Sequence, residues 1–335
     1  MSEERVLLAH GSGGRLSHEL IRRVFLPRFA GEALARLDDS ALLTFGEVRL
    51  AFTTDSYVVK PLFFPGGSIG RLAVCGTVND LATAGARPLY LSAAFVIEEG
   101  FPFAELERVV AAMQEAAAEA GVAVATGDTK VVERGGADGL FVNTAGVGIV
   151  PPGVDISGHN ARVGDKVILT GTLGDHGIAV VSAREGLSFA TDIVSDVAPL
   201  NRLVAAMLAA GEVHVLRDPT RGGLATTLNE IARQSGVAIT LDERSLPVRP
   251  GVRAACEMLG FDPLYVANEG KMVACVPAVA ADTVVARLRG ERYGENAAVI
   301  GEVIDGRPGR VYMQTAIGGT RIVDMLAGEL LPRIC

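Results

Sequence analysis

Cysteine is scarce in this sequence, and its few copies are not arranged in pairs. Cys75, Cys256, Cys275 and Cys335 are the four cysteines in 335 residues, and no two of them form a CxxC motif. This usage excludes a disulfide framework and a zinc knuckle, and it is typical of a reducing cytosol. The five histidines form no HExxH or other ligand spacing, so we expect no catalytic zinc.

The chain also lacks a positive net charge and long apolar runs. Its net charge of -8 argues against nucleic acid or an anionic membrane as the main partner. A bound anion must therefore be held locally, by backbone amides, metal ions or single Lys and Arg residues. No stretch approaches the length of a membrane span, and residues 1–10 contain no apolar signal-peptide core. These features predict a soluble, cytoplasmic protein.

What the sequence does contain is enough apolar material for two domains. Hydrophobic residues make up 49% of the chain, and 335 residues correspond to about two domains. Pro151-Pro152-Gly153 is the clearest boundary. We therefore predict an N-terminal α+β domain over residues 1–150, a C-terminal α+β domain over 151–320 and a mobile tail over 321–335.

Apolar periodicity and turn residues predict the elements of the first domain. They indicate helices at 17–30, from Ser68 to about 85 and from Pro102 to Ala120, and strands at 40–45, 48–54, 89–97, 122–126 and 140–150.

Acidic residues stand where several of these elements begin or end. Asp38 and Asp39 precede the first strand, Asp55 ends the second, and Asp80 follows Asn79 on a mostly apolar helix. Carboxylates at strand ends are usually turn residues, but they also hold Mg²⁺. Asp80 is a better site candidate, because a carboxylate on an apolar helix costs stability unless it is paired or liganded.

Glycine-rich segments precede several predicted helices. They lie at residues 10–14, 171–177 and 217–223, and a helix start approached by glycines is a natural anion seat. Residues 127–130 place an acid, a hydroxyl and a lysine after an apolar strand, which suits either a phosphate or metal site or a hairpin turn. Together these signals favour a metal-nucleotide site, in which aspartates bind Mg²⁺ and helix starts bind phosphate.

The last residue, Cys335, follows Leu331 and Pro332 on a short tail. A thiol there is accessible and can be carried to another site by motion of the tail. The alternative is a frayed terminus that happens to end in cysteine.

Nine short segments of the sequence carry a family resemblance. They are AHGSGG (9–14), TTDSY (53–57), PLFFPGG (61–67), CGTVND (75–80), TGDTKVV (126–132), GTLGDHG (171–177), RDPTRGGL (217–224), ANEGK (267–271) and PRIC (332–335). Together they resemble one family, the HypE carbamoyl dehydratases of [NiFe]-hydrogenase maturation. The resemblance covers essentially the whole chain, and its most specific element is PRIC.

The resemblance implies a two-domain aminoimidazole-ribonucleotide-synthetase-like α+β fold. It also implies a homodimer whose N-terminal domains pair strands, with ATP and Mg²⁺ between the two domains of the chain. In this family HypF carbamoylates the terminal cysteine, ATP-dependent dehydration converts the group to a thiocyanate, and the cyano group passes to iron on the HypC–HypD complex.

The resemblance also suggests roles for individual residues. Cys335 is the expected carrier, and Lys130 and Glu269 are expected to polarise the thiocarboxamide and move its protons. The expected metal and phosphate ligands are Asp38, Asp55, Asp80, Asp128 and Asp218, with the choice between Asp38 and Asp39 left open. The expected nucleotide contacts are Gly13, Gly14, Lys60, Asn79, Thr129, Gly222 and Gly223.

Two other functions compete with this interpretation. One is a small-molecule synthetase of the same superfamily, of the selenophosphate or aminoimidazole ribonucleotide type. The first normally carries a reactive Cys or selenocysteine near its N-terminus, whereas the first cysteine here is Cys75, and the second has no use for a terminal cysteine. The other is a non-catalytic nucleotide-binding scaffold, against which the aspartate set with Lys130 and Glu269 argues.

Overall fold

Two β-sheets with helices packed against them account for most of the molecule. The computed structural model describes residues 5–29, 31–187, 193–328 and 330–335. The elements of the first half are α1 (Arg15–Leu20), α2 (Glu32–Ala35), β1 (Ala41–Phe45), β2 (Val48–Tyr57), β3 (Phe63–Phe64), β4 (Gly67–Ser68), α3 (Ile69–Thr83), β5 (Arg87–Glu98), α4 (Phe103–Ala120), β6 (Ala123–Val132) and β7 (Leu140–Val150).

The second half has shorter strands and more helices. Its elements are β8 (Lys166–Leu169), α5 (Asp175–Glu185), α6 (Asn201–Ala210), β9 (Val215–Arg217), α7 (Gly223–Gln234), β10 (Ala238–Asp242), α8 (Pro250–Leu259), β11 (Val273–Val276), α9 (Ala278–Arg289), β12 (Ala298–Ile304), β13 (Arg310–Gln314) and β14 (Thr320–Ile322). Among the described residues, no helix has the length and apolar composition needed to cross a bilayer.

The first sheet has the strand order β1-β2-β7-β5-β6, and only the β5–β6 pair is parallel. The second has the order β14-β13-β10-β12-β8-β11-β9, and only the β10–β13 pair is parallel. The first sheet lies within residues 41–150 and the second within 166–322. The domain bounds predicted from Pro151-Pro152-Gly153 agree with this division but stay a prediction.

Capping residues mark the start of α3 and the end of α4 close to the predicted helix bounds. Ser68 caps α3, because its hydroxyl accepts a hydrogen bond from the Arg71 amide at 3.3 Å. Gly121 ends α4 in the left-handed conformation, with φ of 74°, which glycine adopts without a steric cost. The hairpin between β1 and β2 turns at residues 46–47, as predicted.

Helix α3 is the centre of the first half, because it is buried on nearly every side. It packs on β2, β7 and β5 and is covered by α4 and α6. The core around it includes Val180, Val181, Ala267 and Ile334 from the second half of the chain. The two halves therefore share one apolar contact region, and polar groups at its edge face both of them.

The structure corrects two expectations of local structure. The helix predicted at 17–30 is α1 followed by a π-helical turn over Ile21–Phe25, and Ala30 lies outside the described residues. Residues 127–130 were expected to follow a strand, but they continue β6, because Gly127 to Lys130 pair in register with Ala93 to Val96 of β5.

Candidate active site

A cleft of about 480 Å³ is lined by acidic side chains from several elements. Asp55 comes from the end of β2, Asp80 from the last turns of α3, and Asp218 from the turn after β9. Asp38 and Asp39 reach the cleft from the segment before β1. The structure thus brings together four of the five predicted metal ligands, together with Asp39.

The acidic side chains that line this cleft outnumber its arginines. Burial raises the pKa of Asp39, Asp55 and Asp80 above the usual value of an aspartic acid, and that of Asp218 to about 6. Repulsion from Asp218 and Asp55 raises the pKa of Asp80 further. A cation bound among these groups would therefore relieve an electrostatic cost.

The contacts distinguish Asp38 from Asp39. The carboxylate of Asp38 accepts hydrogen bonds from Ser157 Oγ at 2.8 Å, the Gly158 amide at 3.0 Å and Arg36 Nε at 3.1 Å. Oδ2 of Asp39 lies 3.0 Å from Arg217 Nε but is buried without a hydrogen-bond partner. Both oxygens of Asp38 thus accept hydrogen bonds, whereas the Asp39 carboxylate is held by its ion pair with Arg217.

The donor set of the cleft fits a hard cation that arrives with a nucleotide. Among the described residues, no three His, Cys, Asp or Glu side chains lie close enough to form a metal centre by themselves. Mg²⁺ prefers oxygen ligands and often takes only one or two carboxylates, with phosphate oxygens and water completing its shell. The buried carboxylates of Asp39, Asp55 and Asp80 satisfy that requirement.

A second, smaller cavity of about 70 Å³ lies at the tail and is lined by Cys335. Burial raises the pKa of the Cys335 thiol to about 12, while Arg221 opposes the shift and Glu269 adds to it. The docked cysteine is therefore a neutral thiol at neutral pH, which suits a carrier better than an activated nucleophile.

Glu269 stands in the turn before β11, and its charge contributes to raising the pKa of the Cys335 thiol. Its side chain is buried, its Oε1 has no hydrogen-bond partner, and burial raises its pKa well above the usual range. Asp196 fixes the turn, since its carboxylate accepts the amides of Glu269 and Gly270 at 3.2 Å each. Glu269 is thus a buried acid on a fixed turn, with one carboxylate oxygen that has no hydrogen-bond partner.

The predicted glycines divide into those that line a cavity and those that pack. Gly13 lines the acidic cleft and Gly222 lines the tail cavity. Gly13, at a φ of 78°, also packs so closely on Arg221 that a Cβ would approach the Arg221 Cβ to 2.9 Å. A Cβ at Gly14 would lie 2.3 Å from the Leu326 carbonyl, and one at Gly223 would lie 2.5 Å from the Leu264 carbonyl.

Four predicted site residues lie away from the cleft within one copy of the chain. Asp128 and Lys130 form an exposed ion pair on β6 with Oδ2 and Nζ at 2.8 Å, and Thr129 lines the groove between β6 and α4. Lys60 pairs instead with Asp138 at 2.8 Å. The sequence could not show this, because it does not reveal that β6 is an edge strand.

Asn79 is fully engaged by backbone of the second half. Its amide nitrogen donates to the carbonyls of Ala198 at 3.0 Å and Glu269 at 3.3 Å, and its oxygen accepts from the Leu200 amide at 2.8 Å. These contacts favour a role in joining the two halves.

The anion seat expected at residues 171–177 is filled by protein. The Gly174 amide donates to Asn268 Oδ1 at 2.8 Å, and the Gly177 amide donates to the Ala267 carbonyl at 3.1 Å. A Cβ at Gly177 would lie 3.0 Å from Leu331 Cδ1. The expectation of an open phosphate site here is therefore wrong, since the amides at the start of α5 bind the ANEGK turn.

Sequence reasoning missed two residues of the site, Arg221 and Tyr57. Arg221 lines both cavities, and its Nη1 donates to the Gly11 carbonyl at 2.9 Å. The buried Tyr57 hydroxyl has its pKa raised by burial and by the charges of Asp55 and Asp80. Both stand inside segments singled out from the sequence, RDPTRGGL and TTDSY, but an arginine or tyrosine in a motif carries no distinct signal.

Known proteins match this chain over nearly its whole length. Residues 37–150 match the N-terminal domain, and residues 162–314 the C-terminal domain, of the AIR synthase related protein family. The carbamoyl dehydratase HypE of Bradyrhizobium diazoefficiens is 58% identical over 330 residues, which are 98% of this chain and 95% of that protein.

Solved structures of HypE proteins superpose on most of this chain. The chain in a crystal structure of a HypE–HypF complex superposes with a TM-score of 0.88 at 51% identity, covering 92% of this chain and 99% of that one. A HypE crystallised in complex with ATP superposes with a TM-score of 0.84 at 52% identity, covering 99% and 100%. The predicted two-domain α+β fold and the family resemblance are confirmed, and this chain belongs to the HypE family of carbamoyl dehydratases.

Proposed function

We propose that the protein uses ATP to dehydrate an S-carbamoyl group on Cys335 to a thiocyanate, which supplies a cyanide ligand for the iron of a [NiFe]-hydrogenase. One observation carries the assignment of residues. The cavity that holds Cys335 and the acidic cleft share the Arg221 side chain as a wall, and the charge of Glu269 influences the Cys335 thiol. A group on this sulfur is therefore next to a site suited to a nucleotide phosphate.

The reaction balances as removal of one water in the form of phosphate. The carbamoyl oxygen attacks the γ-phosphorus of ATP, the bond to the bridging oxygen breaks, and ADP leaves. The two amide protons are then removed, the carbon–oxygen bond breaks, and phosphate departs to leave S–C≡N. Phosphorylation is needed because the carbonyl oxygen is otherwise a poor leaving group.

Glu269 is our candidate for removing the amide protons. It is buried and unpaired, and its raised pKa makes it a stronger base than an exposed glutamate when it is ionised. Arg221, directed to both cavities, is suited to neutralise negative charge on the oxygen that becomes phosphorylated. Cys335 is partly buried in the tail cavity, which limits the entry of water that would otherwise hydrolyse the activated group.

The nucleotide and its metal are assigned to the acidic cleft. Asp39, Asp55, Asp80 and Asp218 would hold Mg²⁺, and the backbone at Gly13 and Gly222 would approach the phosphates. When bound, Mg²⁺ neutralises phosphate charge and fixes the geometry of transfer. We assign Asp39 rather than Asp38 to the metal, because both oxygens of Asp38 are taken up by hydrogen bonds to Ser157, Gly158 and Arg36.

Exposed apolar side chains on the outer face of the first sheet support the homodimer predicted from the family. The side chains of Phe52, Tyr90 and Val96 point away from α3 and are exposed, although a sheet normally covers such a face. Asp128 and Lys130 lie in register with the outward-facing Ala94 and Val96. In a dimer formed through this face they lie at the interface, and Lys130 could act only at the partner's site.

Two partners follow from the same chemistry. A carbamoyl donor must reach Cys335, and the relative solved with HypF makes HypF the candidate. The cyano group must then pass to iron, for which the HypC–HypD complex is the candidate. The free thiols of Cys75, Cys256 and Cys275 suit a reducing compartment, so we place the reaction in the cytoplasm.

Intact mass spectrometry tests the proposed function directly. The protein is incubated with HypF, carbamoyl phosphate and ATP, then given further ATP and Mg²⁺. We expect one carbamoyl group to be added and then one water to be lost, and Cys335→Ala protein to acquire neither change.

Two outcomes would contradict the proposal. If the wild-type protein never gains the carbamoyl group, Cys335 is not the carrier and a small-molecule synthetase becomes the better interpretation. If the group is added but never loses water, the protein is a scaffold.

A further inference from the structure

Residues 332–335 of the tail are held mainly by hydrogen bonds to their backbone carbonyls. Arg184, in the last turn of α5, donates from Nη1 to the Pro332 carbonyl at 2.6 Å and from Nη2 to the Arg333 carbonyl at 2.7 Å. Its Nε donates to the Lys60 carbonyl at 2.9 Å. One guanidinium therefore joins two tail carbonyls to a carbonyl of the first half of the chain.

His176, two turns earlier on the same helix, holds the next tail carbonyl. Its Nε2 lies 2.8 Å from the Ile334 oxygen and its Nδ1 lies 2.8 Å from Ser195 Oγ. A carbonyl only accepts, so Nε2 carries the proton and the Ser195 hydroxyl donates to Nδ1. Ser195 Oγ in turn accepts from the Val197 amide at 3.1 Å. A neutral imidazole satisfies every partner, and burial lowers its pKa in agreement.

The opposite edge of the tail pairs with the segment after β2. The Val58 amide donates to the Cys335 carbonyl at 3.0 Å, and the Lys60 amide donates to the Arg333 carbonyl at 3.2 Å. The Ile334 side chain, 3% exposed, is part of the core around α3. Residues 333–335 thus lie between the two halves of the chain, while Pro332 is exposed.

We propose that Arg184 and His176 are positioning residues that hold the tail so that the Cys335 sulfur faces Arg221 and Glu269. The inference rests on the proposed function, in which Cys335 must meet both a carbamoyl donor and the dehydration site. Neither residue touches the sulfur. While these contacts keep the Cys335 sulfur at the dehydration site, the sulfur is not available to the carbamoyl donor.

The two half-reactions should therefore respond in opposite directions when this hold is weakened. Arg184→Met removes three charged hydrogen bonds while keeping much of the apolar stem. The tail then spends less time docked, which lowers the effective concentration of its carbamoyl group at the dehydration site. The same loss exposes the thiol to the donor. A merely structural role would slow both steps together.

The first measurement needs neither donor nor nucleotide. Full-length protein is treated with iodoacetamide at neutral pH, and labelling of Cys335 is followed by peptide mass spectrometry. The buried Cys75, Cys256 and Cys275 serve as internal references for global unfolding. We expect Arg184→Met to label Cys335 about tenfold faster than wild type. Arg184→Lys should fall between them, and Arg253→Met, an exposed arginine on α8, should match wild type.

The second measurement is single-turnover dehydration of carbamoylated protein at varied ATP. We expect Arg184→Met to dehydrate about tenfold more slowly, with an unchanged ATP concentration at half-maximal rate, and to be carbamoylated at least as fast as wild type. His176→Gln, which keeps a donor, should be less affected than His176→Ala.

The labelling and turnover experiments contradict the inference and the proposed function through different outcomes. If Arg184→Met labels Cys335 at the wild-type rate, Arg184 does not hold the tail and the inference is overturned. Faster labelling with unchanged dehydration overturns the positioning role in the same way. If wild type does not dehydrate at all, the proposed function fails, whereas faster labelling of the variant still supports the hold on the tail.

Discussion

Oδ2 of Asp39 lies 3.0 Å from Nε of Arg217, yet the two atoms are not aligned for a hydrogen bond. The other nitrogens of Arg217 are better engaged, because Nη2 donates to Glu230 at 2.6 Å. Nε2 of His18 lies 2.6 Å from the second oxygen of the same glutamate. This chain of contacts holds Asp39 at the cleft through an ion pair and without a hydrogen bond to Oδ2.

Asp39→Asn and Asp38→Asn should therefore have different effects. We expect Asp39→Asn to weaken binding of Mg²⁺-ATP at least about tenfold with little loss of stability, because it removes a ligand charge. Asp38→Asn should instead lower the free energy of unfolding by about 1–2 kcal/mol, because charged hydrogen bonds to Ser157 and Gly158 are lost. Calorimetric titration measures the loss of Mg²⁺-ATP binding, and thermal unfolding measures the loss of stability. If Asp38→Asn weakens binding and Asp39→Asn lowers stability, Asp38 is the ligand.

Glu269→Gln should separate the two chemical half-reactions. An amide of nearly the same shape cannot take up a proton, so dehydration should slow by about 10²-fold or more. Carbamoylation of Cys335 should continue at the wild-type rate, because it takes place outside this pocket. Intact mass would then show the carbamoyl form accumulating. Full dehydration by the variant would exclude Glu269 as the base.

Arg221 should matter to both cavities that it lines. We expect Arg221→Met to lower the dehydration rate about 10²-fold, since the charge facing the transferred oxygen is lost. Arg221→Lys should recover part of the rate. The thiol of Cys335 should also become harder to ionise, because the arginine now lowers its pKa. A variant with a wild-type rate and altered thiol ionisation would limit Arg221 to an electrostatic influence on Cys335.

Asp218→Asn should stabilise the protein when no nucleotide or metal is present. The pKa of Asp218 is raised to about 6 from a usual value of 3.8, so the folded state binds its proton more tightly than the unfolded state. The resulting cost is complete above about pH 6 and vanishes below about pH 4. We expect a gain of up to about 3 kcal/mol at pH 7.5 in EDTA and little near pH 4.

Denaturant unfolding at the two pH values measures this difference. The same Asp218→Asn variant should bind Mg²⁺-ATP poorly, because it lacks a proposed ligand. An equal gain in stability at both pH values would mean that the carboxylate charge is not its source.

Phe52→Glu should convert the proposed homodimer to monomers. Phe52 lies on the outer face of β2 opposite Val147, and it is exposed within one copy of the chain. A charge there would be buried without a partner in the dimer, at a cost of several kcal/mol. Light scattering after size-exclusion chromatography measures the mass, and Val279→Glu, on the exposed face of α9, is the matched control. If wild type is itself a monomer, the interface is absent.

The sequence by itself determined the elements that depend on local chemistry. Ser68 and Gly121 fixed the ends of their helices through capping and a left-handed turn, and alternating apolar residues fixed β2 and β7. The motifs also sufficed to recognise the family, because many short segments in one order are specific even where each segment alone is weak.

Only the tertiary structure decided which polar groups share a site. Lys130 and Glu269 both stand in recognisable motifs, but β6 is an edge strand, so Lys130 lies on an exposed face away from Glu269. Arg221 and Arg184 gave no signal along the chain, because their roles come from carbonyls and cavities contributed by residues distant in sequence. Periodicity and capping report on neighbours a few positions away, whereas the charge, burial and partners of a side chain depend on how the two halves pack.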